Sequence, residues 1–267
     1  MGRRKRDRFN PVDGILLLDK PSGMTSNRAL QQVKRLLGAA KAGHTGALDP
    51  AATGMLPLCF GEATKVCAFL LDADKTYRVS ARLGSATDTG DADGSETATA
   101  DVPELDAANW QAILDEFRGE SLQVPPMYSA LKQGGKRLYE LARKGETVER
   151  KPRPIRIDLI ELLESAGSRL VFRVRCSKGT YIRSLVEDIA AKAGTVAHTA
   201  RLHRAQVDPF ETGDMLSLEA LEALAADGAL SGRLLPPDRA LVELPECVVS
   251  GEAGARFRGG QAVSVEV

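Results

Sequence analysis

The sequence predicts an α+β protein built around a mixed, largely antiparallel sheet flanked by helices. Three observations carry this reading. "KTYRVSARLG" alternates without a break, with Tyr77, Val79, Ala81 and Leu83 on one side and Thr76, Arg78, Ser80 and Arg82 on the other. That is the period of a strand with one buried face. "RPIRIDLIELL" and "RLVFRVRCS" repeat the alternation as an apparent hairpin, and "GTYIRSLVEDIAAKAG" switches to helical period. In that last stretch Ile182, Leu185, Val186, Ile189, Ala190 and Ala193 form one stripe. Strands outnumber helices, and no segment reads as a Rossmann unit.

The remaining elements follow in order. "GILLLDKP" reads as a buried strand ending in a turn at Lys20-Pro21. "TSNRALQQVKRLLG" reads as a helix capped by Thr25 or Ser26 and ended by Gly38, with Ala29, Leu30, Val33, Leu36 and Leu37 facing inward. "GHTGALDPAATG" is a loop, "MLPLCF" a strand and "EATKVCAFLL" a helix. "SATDTGDADGSE" is turn-rich and acidic, a surface loop without the full ligand frame of an EF-hand. A helix is expected over 106–117, a basic mixture of turns and aromatics over 124–151, and a short helix over 217–226.

The chain has 267 residues, enough for one large domain or a domain with a small module. No apolar run reaches the roughly 18 residues of a membrane helix. The basic "MGRRKRDRFN" start lacks the apolar stretch of a signal peptide, so a cytoplasmic protein is expected. Cys59, Cys67, Cys176 and Cys247 form no CxxC pair, and they read as buried free thiols. His198 and His203 have the wrong spacing for a helical metal face, so no metal is expected.

Net charge is zero, but the charges are segregated. Residues 86–106 hold seven acids and no base, whereas 169–183 hold five bases and no acid. Residues 132–156 hold nine bases against three acids, and the first eight residues hold five bases against one acid. Three basic blocks point to a polyanion, and nucleic acid is the expected partner.

Within "GHTGALDPAATG" Asp49 is the only acid, at positions 43–54 rich in glycine. Asp followed by Pro is the pattern of a helix cap, so Asp49 either caps a short turn or sits at a site where small neighbours leave room for a ligand. Tyr77 reads equally as a core side chain, and Lys20 as a strand-end surface lysine.

"AGHTGALDPAATGMLPLCFGEATK" resembles the catalytic signature of the TruB family of tRNA pseudouridine synthases. "LLLDKPSGMTS", "KTYRV", "ARLG", "TDTGDADG", "VPPMYSALK", "GKRLYELAR" and "CSKGTYIRSL" resemble further blocks of that family, in its order, over roughly residues 12–210. The resemblance implies the pseudouridine synthase fold. It implies isomerisation of the T-loop uridine at position 55 of tRNA, without cofactor or metal. It makes Asp49 the nucleophile, Arg183 its ion-pair partner, and Tyr77 the side chain that stacks on the extruded uracil and can take a proton. His44, Tyr181, Leu202 and Lys20 match substrate-binding positions. On this reading the lack of a second acid beside Asp49 keeps its pKa low.

The resemblance also implies a catalytic unit over 1–235, with 124–151 as an RNA-gripping insertion. It implies a partial PUA-like module over 236–267, in which "RFRGGQAVSVEV" resembles the first strands. The expected partner is the tRNA T-arm, with no membrane and no obligate protein partner, the chain acting as a monomer. A tRNA-binding chaperone and a synthase acting on another RNA are the alternatives.

Overall fold

The computed structural model describes residues 11–264; the basic start and the last three residues lie outside them. β1 (Gly14–Lys20) leads into α1 (Ser26–Leu37), then β2 (Ala42–His44) and β3 (Thr53–Phe60). α2 (Cys67–Asp72) follows a 3-10 turn, then β4 (Lys75–Leu83) and the ribbon β5 (Ser85–Thr87) with β6 (Glu96–Thr99). Next come α3 (Ala107–Asp115), β7 (Gly119–Gln123), β8 (Lys132–Gln133), β9 (Lys136–Arg137) and α4 (Leu138–Ala142). The chain continues through β10 (Arg153–Ala166), β11 (Arg169–Cys176), α5 (Ile182–Lys192), β12 (Ala197–Val207), α6 (Leu218–Ala226) and α7 (Gly251–Arg258).

Eight strands make one sheet in the order β1-β3-β12-β4-β11-β10-β7, with β2 added to β3. Only β12 and β3 pair in parallel, so the sheet is mixed and mostly antiparallel, as the alternating patterns predict. On one face Tyr77, Val79, Ala81 and Leu83 of β4 pack against Ile182, Leu185, Val186 and Ile189 of α5 and Trp110 and Leu114 of α3. Beside them, α1 and α6 close over Leu16, Leu18, Leu56, Leu58 and Phe60. α1 begins as its sequence suggests: Thr25 caps it by accepting from Arg28 N, and Gly38 ends it in the left-handed region.

β12 lies at the centre of the sheet, yet "AHTARLHRAQV" carries no strand alternation. Two bulges, between Thr199 and Arg201 and between Arg204 and Gln206, shift the register twice along β12. The inward positions therefore run Ala197, Thr199, Arg204 and Val207 rather than every second residue.

Three expectations are corrected. The helix expected across "EATKVCAFLL" is broken at Val66 into a 3-10 turn and the short α2. Cys247 is exposed and Cys67 half-buried, so the thiols are not uniformly buried. The first strand expected from Arg256 is instead the end of α7. No other strand lies within 236–264 to pair with it, and a strand without a partner leaves its backbone groups unsatisfied.

Candidate active site

The loop 43–54 is held in shape by the connection between β1 and α1. Ser26 Oγ accepts from Leu48 N at 2.8 Å and donates to Leu48 O at 3.1 Å. Gly23 N donates to Pro50 O at 2.9 Å, and Ser22 Oγ donates to Ala51 O at 3.1 Å. Lys20 Nζ donates to the carbonyls of Pro21 (2.9 Å), Met24 (2.8 Å) and Pro50 (3.2 Å). Lys20 is thus fully buried and not a surface residue. Asp49 caps no helix: the only turn here is closed by the backbone, Ala52 N to Asp49 O at 3.1 Å, and the chain then extends into β3. The carboxylate is left free to face the site.

Its partner is Arg183, in the first turn of α5. Arg183 Nε lies 3.1 Å from Asp49 Oδ2, and the arginine side chain is 7% exposed against 42% for the aspartate. Arg183 Nη1 donates to Thr89 O at 2.8 Å, and Nη2 donates to Tyr128 O at 2.7 Å. One guanidinium therefore ties Asp49 to the acidic loop and to the 124–151 segment. The planar fork suits this, since each nitrogen reaches a different acceptor. Burial pushes the Asp49 acid above its ordinary value, and the Arg183 charge opposes that rise.

Asp49 is not free of other acids, which corrects the expectation from its local sequence. The loop after β4 folds back so that Asp91 Oδ2 comes within 3.8 Å of Arg183 Nη1, and Asp91 and Asp93 both push the Asp49 acid up. β12 fixes this loop: Thr199 N donates to Gly90 O at 3.0 Å, and Ala92 N donates to Thr199 O at 3.1 Å. Thr89 Oγ1 also donates to Asp91 Oδ1 at 2.6 Å. Asp91 looked like one of seven surface acids, and nothing local separated it from them.

Tyr77 stands on β4, in register with Arg204 of β12. It is 9% exposed, and burial raises its phenol above the ordinary value. Leu202 packs at the edge of the same apolar cluster. Tyr181 immediately precedes α5 and is held by two hydrogen bonds with the Gln123 amide: Tyr181 N donates to Oε1 at 2.8 Å and Nε2 donates to Tyr181 O at 3.1 Å. His44, at the end of β2, has a buried Nδ1 with no hydrogen-bond partner among the described residues. Burial lowers the His44 pKa, and the Arg204 charge lowers it further. Asp49 feels the charges of Arg183 and Lys20, and Tyr77 and Tyr181 feel that of Asp49. Leu202 packs on the apolar cluster that holds Tyr77, and the charge that His44 feels is that of Arg204.

Arg204 is the largest residue that sequence reasoning missed. It is 1% exposed, and it donates from Nε to Met55 O at 2.7 Å and from Nη2 to Gly46 O at 3.0 Å. Gly54 permits its close approach: a Cβ there would lie 2.3 Å from Arg204 O, and the φ of +99° is also one that side chains avoid. An arginine in a segment without alternation gave no signal of burial.

The charge blocks also resolve differently. All five bases of 169–183 have carboxylates within reach: Arg169 with Glu164, Arg173 with Glu161, Arg175 with Asp208, Lys178 with Asp72 and Arg183 with Asp49. That block does not form a free basic face. Over 132–151, by contrast, exposed Lys132, Lys136, Arg137, Arg143, Lys144 and Lys151 have no ion-pair partner among the described residues.

Lys20→Met is expected to lower stability by about 2 kcal/mol, because three part-buried carbonyls lose their donor. Burial pulls the Lys20 pKa down to about 8. From there up to the ordinary lysine value of 10.5 the unfolded chain holds a proton that the folded chain has released. The stability gap between wild type and variant should therefore widen as pH rises through that window. Urea unfolding at several pH values checks both statements.

Among the described residues no helix is long and apolar enough to cross a membrane, and no group of three or more His, Cys, Asp or Glu could hold a metal ion.

Comparison with known proteins bears on the family and the fold. Residues 34–182 match the model of the TruB family pseudouridylate synthase N-terminal domain, and residues 183–242 match that of the tRNA pseudouridylate synthase B C-terminal domain. The second match begins at α5 and includes β12, so both matched regions build the same sheet. tRNA pseudouridine synthase B of Chromohalobacter salexigens is 53% identical over 266 residues, covering 100% of this chain and 86% of that one. The protein of the same name from Dechloromonas aromatica is 53% identical over 257 residues, covering 96% and 85%. Among solved structures, a Cbf5-Nop10-Gar1 complex matches with a TM-score of 0.69 at 29% identity, over 92% of this chain and 73% of that one. An H/ACA RNP bound to a substrate RNA containing 2'-deoxyuridine matches with a TM-score of 0.71 at 26% identity, over 98% and 76%.

Proposed function

Because this chain belongs to the TruB family of pseudouridine synthases, we propose that it isomerises the T-loop uridine at position 55 of tRNA, with Asp49 as nucleophile. The observation that carries the assignment is the pair of Asp49 with a buried, fully engaged Arg183. The uridine leaves the stack, since the glycosidic bond cannot be reached inside it, and unstacking costs a few kcal/mol. Stacking on Tyr77 returns about 1–3 kcal/mol. The N1–C1' bond breaks, the uracil turns, and C5 bonds to C1'. The hydrogen on C5 leaves as a proton, and N1 gains one. Asp49 drives this by attack at the sugar or at the base, and Arg183 keeps it ionised until then. Tyr181, Leu202, Lys20 and His44 belong to the same proposal as substrate-binding residues. So does the division into a catalytic unit over 1–235 and a small C-terminal module over 236–267. No cofactor or protein partner is invoked.

The test is tritium release from tRNA labelled at uracil C5. About one equivalent per tRNA is expected from wild type and none from Asp49→Asn. Tight tRNA binding without release by wild type would instead favour a chaperone.

The unpaired bases of 132–151 are proposed to grip phosphates. Replacing Lys132, Lys136 and Arg143 together by Ala should weaken tRNA binding at low salt. It should also flatten the plot of log K against log salt by about 2–3 in slope, roughly one per lost phosphate contact. Single-turnover rate at saturating tRNA should stay within about threefold of wild type. An unchanged slope would remove this segment from the RNA interface.

A further inference from the structure

Arg204 is a buried cation without a counterion: among the described residues no carboxylate lies within ion-pair distance of it. Burying a charge unpaired is costly, and an apolar side chain of similar volume would suit a sheet core better. Its neighbours add to the cost. Burial pulls down the pKa values of Lys20, Lys75 and His44, and the Arg204 charge lowers all three further. Something other than stability should account for it.

Its contacts show what it joins. The Nε bond goes to Met55 O and the Nη2 bond to Gly46 O, so the guanidinium holds both ends of the loop that carries Asp49. Its backbone lies in register with Gly54 of β3 on one side and Tyr77 of β4 on the other. Residues in register on neighbouring strands point to the same face, so Arg204 and Tyr77 share a face of the sheet. Arg204 thus links the Asp49 loop, through its side chain, to the Tyr77 strand, through its backbone. Among the described residues its guanidinium bonds carbonyls only, and the Asp49 carboxylate pairs with Arg183 instead.

We propose that Arg204 is a positioning residue, which sets the distance and orientation between Asp49 and Tyr77 by clamping the Gly46 and Met55 carbonyls against β4. The proposal rests on the assignment of Asp49 and Tyr77 to the reaction. A lysine in its place keeps the charge but carries all its donors on one nitrogen, so it cannot reproduce the two separate reaches of Nε to Met55 O and Nη2 to Gly46 O. The loop then moves by a fraction of an ångström to an ångström, a shift that costs about 100-fold where reacting groups must be aligned. Because the clamp acts on alignment and not on RNA contact, the loss falls on the chemical step.

The experiment compares wild type, Arg204→Lys, Tyr77→Phe and the double variant by single-turnover tritium release at saturating tRNA, with tRNA Kd and urea midpoint measured for each. Arg204→Lys should be about 100-fold slower, with Kd within about threefold of wild type and a folded baseline. In the Tyr77→Phe background the same substitution should cost at least about tenfold less, because part of what Arg204 aligns is already gone. Losses that multiply, a rate equal to wild type, or a loss wholly in Kd would each overturn the proposal. So would an Arg204→Lys chain that does not fold, since Arg204 would then serve the stability of the sheet. Wild-type release with Asp49→Asn inactive establishes the underlying assignment separately from this outcome.

Discussion

Asp49→Asn should abolish pseudouridine formation, with a single-turnover rate at least about ten-thousand-fold below wild type. The substitution keeps the shape of the side chain and removes only its charge and nucleophilicity. Within its own loop Asp49 shapes the chain through its backbone, whose carbonyl closes the turn to Ala52, and not through its side chain; its neighbours Leu48 and Pro50 are held by Ser26, Gly23 and Lys20. The loop should therefore survive the change, and tRNA affinity should stay within about threefold. Arg183 would lose one ion pair but keep Thr89 O, Tyr128 O and Asp91. Tritium release that persists in this variant would remove Asp49 from the chemistry, and a parallel collapse of binding would make its role structural.

Arg183→Met should slow the reaction by about 1,000-fold and also move its pH dependence. Asp49 acts as the anion, so the rate rises with pH as the carboxylate ionises and falls as pH drops through its pKa. That pKa is already raised by burial and by Asp91 and Asp93, with Arg183 as the largest opposing influence. Removing the cation should shift the acid limb of the rate profile upward by about 1–3 pH units. Arg183→Lys separates charge from geometry. It should restore most of the limb's position but not the rate, because a single ammonium cannot reach Asp49, Thr89 O and Tyr128 O together. Single-turnover rates of the three proteins between pH 5 and 9 would show this. An acid limb that stays in place in Arg183→Met would mean that the arginine does not control the nucleophile's ionisation.

Where a strand or helix presents one regular face to a core, the sequence revealed it. β4, β10 and β11 were legible from alternation, and α1, α5 and α6 from their stripes and ends. The same logic failed where geometry departs from the period. β12 is the case in point, since two bulges hide a central strand. Charge was read least well. The bases of 169–183 looked like a free basic face, but their partners, Glu164, Glu161, Asp208, Asp72 and Asp49, lie outside that block. A local count of charge cannot see neighbours that only folding supplies.

The sequence by itself determined the sheet's main strands, the helices on its face, and a loop in which Asp49 stands alone among small residues. The motif blocks tied that loop to Arg183 and Tyr77. Only the tertiary structure decided the electrostatics around Asp49. It seated Arg183 3.1 Å from the carboxylate, and it folded the acidic loop back so that Asp91 shares that cation. It also buried Lys20 under the loop and set Arg204 between the loop and β4. The reason is range: period and turn chemistry act within a few residues, whereas a carboxylate's ionisation depends on charges a few ångströms away that belong to distant parts of the chain.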